Sequence, residues 1–245
     1  MPTDEELGRL YDDYRGEAYF KQRNHFEPWY TREFNDALGA EAEMQSRRDV
    51  LANVLVEGNL TGRFGSVLDY GGDRGQMLSV LNATMKSVYD ISGVAPDPGV
   101  IAIDEEALQR GSWDLILCCH VLEHLPDPRA HVQKLLALGH PGTAYFFEVP
   151  NENFHSVRAS SWLIQKTWLT WLVKYPWLFR KFDFLSRNLD YHFHFVPPVL
   201  FFPLCEHLNF FTCAGITSFL KSNGFKVESA SVRDSGHIAV LARWS

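Results

Sequence analysis

The chain has 245 residues, 46% hydrophobic and 22% charged, enough to bury a sizeable core, and this excludes an acidic disordered chain. Its formal net charge of −7 argues against a surface that tracks phosphates, so no nucleic-acid partner is expected. Cys118, Cys119, Cys205 and Cys213 form no C-x-x-C pair, the start MPTDEELGRL is no signal peptide and no run is long enough to span a membrane, which together predict a reduced, cytoplasmic protein.

In chain order, residues 1–58 are polar and predict a helical N-terminal cap, with AEMQSRRDVLANVLVEG an amphipathic helix stopped by Gly58. Val67–Tyr70 reads as a buried strand and QMLSVLNATM as the helix after it. KSVYDIS is a second short strand, GVIAID a third, and the continuous apolar run WDLILCCHVL a fourth. DPRAHVQKLLALGHPG is a helix closed by Gly and Pro, and TAYFFEVP the fifth strand. Apolar strands alternating with helices imply a parallel sheet covered on both faces. From Asn151 to about Phe211 the rhythm breaks: four of the seven Trp lie between Trp162 and Trp177, and Ile164, Trp168, Trp171 and Tyr175 recur at helical spacing. It resumes at CAGITSFLKSNGF and ends in KVESASVRDSGHIAVLARW, two strand-like runs that suggest an antiparallel hairpin around Asp234–Gly236.

The stretch VLDYGGDRGQML, Val67–Leu78, puts an acid at a strand end and three glycines within the next residues. Open parallel sheets bind ligands outside the carboxyl ends of their strands, and glycines let the backbone come close to one. In the pyrophosphate fingerprint G-x-G-x-x-G the second glycine would fall on Asp73, whose carboxylate would repel a pyrophosphate. No G-x-x-x-x-G-K-[ST] loop occurs either. The turn therefore suits a cationic, phosphate-free ligand, and a nicotinamide oxidoreductase is the least favoured enzyme. Asp73 would either face that ligand or cap the next helix.

At these residues the chain resembles the class I S-adenosylmethionine (SAM)-dependent methyltransferases. VLDYGGDRG matches their first motif at Asp69, Gly71 and Gly75, with Asp73 in place of the middle glycine. Asp90, 21 residues after Asp69, stands where the family places an acid on the ribose diol, and IDEE puts Ile103 and Asp104 at the adenine edge. WDLILCCHVLEHLPDP resembles the fourth strand and its continuation, and HLNFFTCAGITSFLKSNGF the segment before the last two strands. The resemblance covers roughly residues 60–150 and 205–245. It implies a Rossmann-like, doubly wound, mostly parallel seven-stranded sheet with a C-terminal antiparallel hairpin. The methyltransferase domain would span 59–245, with 151–206 inserted on the substrate side. The cofactor set it implies is Asp69, Tyr70, Gly71, Gly72, Gly75, Asp90, Ile91, Ile103, Asp104, Cys119 and His120, with Arg47 or Arg48 reaching the methionine carboxylate.

Methyl transfer is an in-line displacement, and an alcohol acceptor also needs a base. His124 after strand four, Glu148 at the end of strand five and His194 in the insertion are the catalytic candidates. Asn151, Asn153, His192 and His207 are the candidate acceptor contacts, with His192 and His194 on opposite faces if DYHFHF is extended. His124 and His207 also admit purely structural roles. PNEN and the His-Leu-x-x-Phe segment resemble methyltransferases of glycan modification, so O-methylation of a sugar-like hydroxyl leads. A small aromatic or quinone-type hydroxyl, or a non-catalytic SAM-binding subunit, are the alternatives. No metal is expected, because no His/Asp spacing resembles a ligand set. The aromatic insertion reads as an acceptor lid, as core or homodimer contact, or as an in-plane membrane helix, and Tyr14, Tyr19 and Tyr30 as lid aromatics over the cofactor.

Overall fold

The computed structural model describes residues 14, 16–26, 30–37, 40–151, 162–193, 206–233 and 236–244. Three helices come first: α1 Glu17–Phe26, α2 Arg32–Ala37 and α3 Glu41–Glu57. Then follow β1 Phe64–Tyr70, β2 Ala83–Tyr89, β3 Ile101–Ala102, α4 Glu105–Arg110, β4 Leu115–Cys119, α5 Pro128–Ala137 and β5 Ala144–Pro150. The insertion supplies α6 Trp162–Leu172 and α7 Pro176–Phe193, and the chain closes with α8 Cys213–Ser222, β6 Phe225–Val232 and β7 His237–Trp244.

The strands form one seven-stranded sheet in the order β3-β2-β1-β4-β5-β7-β6, parallel except where β7 runs antiparallel between β5 and β6. The order reverses between β1 and β4, which is the switch point where such sheets open a crevice for ligand.

Two-residue alternation divides each central strand between two cores. Leu68, Ile116, Tyr145 and Phe147 face the layer of α5 and α8, where Val132, Leu135, Ile216 and Leu220 meet them. Val67, Leu115, Leu117, Ala144 and Phe146 face α3, which brings Met44, Leu51, Val54 and Leu55 at helical spacing. By the same alternation Asp69, Cys119 and Glu148 belong to the α3 face. That placement decides their chemistry.

One local expectation fails. No α-helix follows β1: Gln76–Val80 is a single 3-10 turn, and Ala83–Met85 already belong to β2. Asn82 O accepts from Phe64 N at 2.9 Å, so the chain is committed to the sheet within a few residues of the turn. Pairing with β1 outweighs the weak helical preference of QMLSVLNATM.

The insertion builds a core of its own. Leu169 and Leu172 are fully buried against Trp168, Val173, Leu178, Phe179 and Phe182, separate from both sheet cores. Arg180 reaches Glu33 on α2 with two contacts of 2.9 and 3.1 Å, tying the α6–α7 hairpin to the N-terminal helices. Among the described residues no helix is long and apolar enough to cross a membrane.

Candidate active site

A cleft opens at the carboxyl ends of β1, β2 and β4. Asp69, Gly71, Gly72 and Asp73 line it from β1, Asp90, Ile91 and Ser92 from β2, and Cys119 through Val121 with His124 and Leu125 from β4. Tyr14, Met44 and Arg47 close it from the N-terminal helices, and Gln76 and Met77 from the 3-10 turn.

The glycine turn is shaped by two constraints. Gly71 has φ +72°, and Gly72 lies so close over Asp69 that a Cβ there would fall 2.1 Å from the Asp69 Cγ. Asp73 also sits in the left-handed region at φ +54°, and its N–H donates to Asp90 Oδ2 at 2.8 Å. Asp is among the few side chains that tolerate this conformation, so it serves where the family motif has glycine. It does not cap the next helix, because the cap position is Gly75 and no side chain bonds there. Arg74 pairs with Asp97 at 2.8 Å while its carbonyl accepts from Asp97 N, pinning the loop after β2 against the turn.

Asp69 is fully buried, and neither carboxylate oxygen has a hydrogen-bond partner among the described residues. Burial pushes its pKa up to about 7, with Arg47 pulling it back only in part. A buried carboxylate under a glycine backbone suits a ligand that carries positive charge. Asp90 accepts from Asp73 N and Ser92 N, which holds its carboxylate at the cleft wall.

On the β4 side, His124 Nδ1 lies 3.2 Å from the Glu206 carbonyl. A carbonyl only accepts, so Nδ1 carries the proton and Nε2 is the basic nitrogen. The His207 ring stands edge-on to His124 with centroids 5.0 Å apart. Leu208 N and Asn209 N donate to the Glu123 carbonyl, and Asn209 Nδ2 donates to Leu122 and Leu125, clamping the turn that carries His124. Glu206 itself accepts from Tyr19 at 2.7 Å and pairs with Arg23 of α1. Burial opposes the charge on Glu206, yet Arg23, His124, the Tyr19 hydrogen bond and His207 together outweigh it and hold the carboxyl below its usual range.

His120 follows β4 at φ +55° and places Nδ1 3.0 Å from Glu123 Oε1. Burial and the Arg47 guanidinium keep its pKa well below the usual imidazole value, so it is neutral. The Cys119 thiol is pushed up by burial and is not a nucleophile near neutral pH.

The structure places the other sequence candidates as follows. Glu148 is not a cleft base: alternation turns it onto the α3 face, fully buried, where Arg47 Nε and Nη2 each lie 2.8 Å from Oε2. Burial opposes its charge, but Arg47 and the imidazoles of His237 and His120 outweigh that and hold it well below the carboxylate range. Tyr70 points into the other core, with its ring 5.1 Å from Tyr89. Gly75 is absent from the cleft lining, as are Ile103, which packs on that core, and Asp104, whose Oδ1 caps α4 by accepting from Ala107 N. Asn151 likewise lies outside the lining, its N–H donating to Gly236 O at 3.2 Å. His207 is not among the lining residues; its ring stands against His124, which is. His192 belongs to α7 and so is not on an extended strand; Asn153 and His194 lie outside the described residues. Arg48 is buried and pairs with Glu41, so Arg47 is the cleft arginine of the two. Tyr14 lines the cleft, whereas Tyr19 and Tyr30 are buried beneath it, Tyr30 donating to Asn35. Glu123, Glu206 and His237 are not among the sequence candidates; Glu206 and His237 meet partners far away in the chain, and Glu123 meets His120 only because β4 ends in the turn that carries both.

A doubly wound sheet whose switch point holds a glycine turn, an acid at the end of β1 with no hydrogen-bond partner among the described residues and a second acid after β2 defines the class I methyltransferases. A family model described as a methyltransferase domain matches residues 41–230. The chain belongs to this family of SAM-dependent methyltransferases. It is similar to a ubiquinone biosynthesis O-methyltransferase of Cronobacter sakazakii, with 41% identity over 63 residues, 25% of this chain and 24% of that protein. It thus spans about a quarter of the length of the curated relatives it matches. In fold it is similar to the 1,6-didemethyltoxoflavin-N1-methyltransferase of Burkholderia thailandensis, at TM-score 0.55 and 16% identity over 100% of this chain and 92% of the other. An O-methyltransferase family protein from the same organism gives TM-score 0.50 at 14% identity, covering 82% of this chain and 56% of that one.

Proposed function

We propose that the protein is an O-methyltransferase in which His124 takes the proton from an acceptor hydroxyl. The observation that carries this reading is the shared cleft: the acids of the glycine turn and an imidazole with a defined basic nitrogen line one cavity. SAM supplies an electrophilic methyl on a sulfonium. Asp69 and Asp90 hold the cofactor end, with Arg47 available to its carboxylate. Arg47 and Asp69 lie close enough for their charges to interact, so the cleft presents both signs to a zwitterionic ligand.

The acceptor favoured here is an aromatic or quinone-type hydroxyl, not a sugar. Tyr14, Met44, Met77, Val121 and Leu125 give the cleft apolar walls. Of the two amides on which the sugar reading rested, Asn151 lies outside the lining and Asn153 outside the described residues. The matched relatives, named as ubiquinone biosynthesis enzymes, support the same direction. A phenol ionises near pH ~10, within reach of imidazole as general base.

A panel of catechols, hydroxyquinones, nucleotide sugars and oligosaccharides, assayed with methyl-labelled SAM, tests this. Transfer to phenolic acceptors is expected, and His124→Ala should lower kcat about 10²–10⁴-fold with S-adenosylhomocysteine affinity retained. Transfer confined to sugars would restore the glycan reading. S-adenosylhomocysteine binding without transfer to any acceptor would favour a non-catalytic subunit.

A further inference from the structure

Behind the cleft wall the fold assembles a second constellation. His120 follows β4, Glu148 lies in β5 and His237 opens β7, three strands adjacent in the sheet. One ligating atom from each residue lies within 4.8 Å of the other two. His237 Nδ1 is 3.4 Å from Glu148 Oε1, and His120 Nε2 is 3.7 Å from Glu148 Oε2. The two imidazoles meet edge to face with centroids 4.5 Å apart. His120 Nε2, Glu148 Oε1 and His237 Nδ1 are all hidden from solvent, and none makes a hydrogen bond among the described residues. A buried polar atom left unsatisfied carries a desolvation penalty, so three converging on one point call for a common partner.

We propose that His120, Glu148 and His237 bind a divalent transition-metal ion. Two imidazole nitrogens and one carboxylate oxygen are a donor set that suits zinc, cobalt or ferrous iron, whereas magnesium prefers oxygen alone. A four-coordinate ion with bonds of ~2.0–2.2 Å keeps its ligands roughly 3.3–3.5 Å apart, close to the His237–Glu148 separation. Arg47 occupies Oε2 with both of its contacts and leaves Oε1 as a single-oxygen ligand. Glu123 holds His120 Nδ1, and in the Nδ1–H tautomer this aims the Nε2 lone pair at the site, as an outer carboxylate does for a metal-bound histidine. In the Nε2–H tautomer of His237 the three atoms all present lone pairs, to which a water could donate only two protons; an ion satisfies all three.

The Arg47 guanidinium opposes a cation here. Glu148, which Arg47 holds ionised, offsets that charge, and the buried carboxyls of Glu123 and Asp69, both raised by burial, are groups that a nearby cation would favour in the ionised form. The ion would fasten the ends of β4, β5 and β7 and stabilise the fold by preferential binding to it. Glu123, His124 and His207 form a rival cluster on the cleft side, and the test must separate the two.

The full chain, stripped with chelator, is titrated with Co²⁺ and followed by its visible absorption and thermal midpoint. One Co²⁺ per chain is expected, with the intense band of a four- or five-coordinate ion and a raised Tm. His237→Ala and the milder His237→Asn should each weaken Co²⁺ at least tenfold, Glu123→Gln about 10–100-fold, and His207→Ala not at all. Circular dichroism identifies any variant that fails to fold. The proposal is overturned if the wild type binds no stoichiometric Co²⁺, if a folded His237 variant binds it equally well, or if His207→Ala removes it. None of these readouts depends on methyl transfer.

Discussion

Asp69 and Glu148 are the same kind of group in the same kind of place, yet they end in opposite electrostatic states. Both are fully buried acids on central strands, on the face that α3 covers. Glu148 meets Arg47 directly and is held ionised; Asp69 feels Arg47 only at a distance and is pushed up to about 7. Burial opposes the charge on both; direct contact with Arg47, joined by the imidazoles of His237 and His120, overcomes it at Glu148, whereas Asp69 has only the distant pull of Arg47 against the added push of Asp90, Asp73 and Glu148. Glu148 ties α3 to the β5–β7 side of the sheet, while Asp69, with no hydrogen-bond partner among the described residues, lines the cleft on the β1–β2 side.

The strongest way to break this comparison is to remove the partnered charge. Glu148→Gln should cost about 3–5 kcal/mol in denaturant unfolding because Arg47 is left buried without its counter-ion. Arg47→Met combined with Glu148→Gln should recover most of that loss. A Glu148→Gln variant as stable as wild type would mean that the pair does not organise this side of the sheet.

Gly72→Ala attacks the other side. The added methyl would collide with Asp69, and we expect S-adenosylhomocysteine affinity to fall tenfold or more in calorimetry, with a smaller loss of stability.

The pH dependence sharpens the contrast further. Because the folded pKa of Asp69 is raised from 3.8 to about 7, its contribution to stability is full below pH ~4 and is lost as pH rises through 7. A cationic ligand favours the ionised form, so SAM affinity should rise by up to about tenfold per unit below pH ~7 and level off above it. Asp69→Asn should flatten that profile in titrations from pH 5.5 to pH ~8.5. A wild-type profile already flat would remove Asp69 from the cofactor site.

The smallest effect is expected far from both acids. Arg180→Ala breaks an exposed pair between α7 and α2 and should lower the unfolding free energy, measured in denaturant, by no more than ~1 kcal/mol. A larger effect would show that the insertion and the N-terminal helices support each other through more than this surface contact.

What the sequence determined by itself was local. The apolar strands, the glycine turn with Asp69, Asp90 at the second strand end, His124 in LEHLPDP and the closing hairpin all follow from neighbours along the chain, because backbone geometry and two-residue alternation act at short range. Even the exception in the glycine motif is local: Asp73 tolerates the left-handed backbone that the turn requires. Tertiary structure alone decided what each buried charge would meet. Arg47 reaches Glu148 across 101 residues of sequence, and His124 meets Glu206 across 82. His237 and His120 come together only because β7 inserts beside β5 and β5 beside β4. Glu148 therefore read as a catalytic base from its place at a strand end, while a helix far upstream had already claimed it. Charge pairing depends on distance in space, and only the packing of α3 on the sheet establishes that distance.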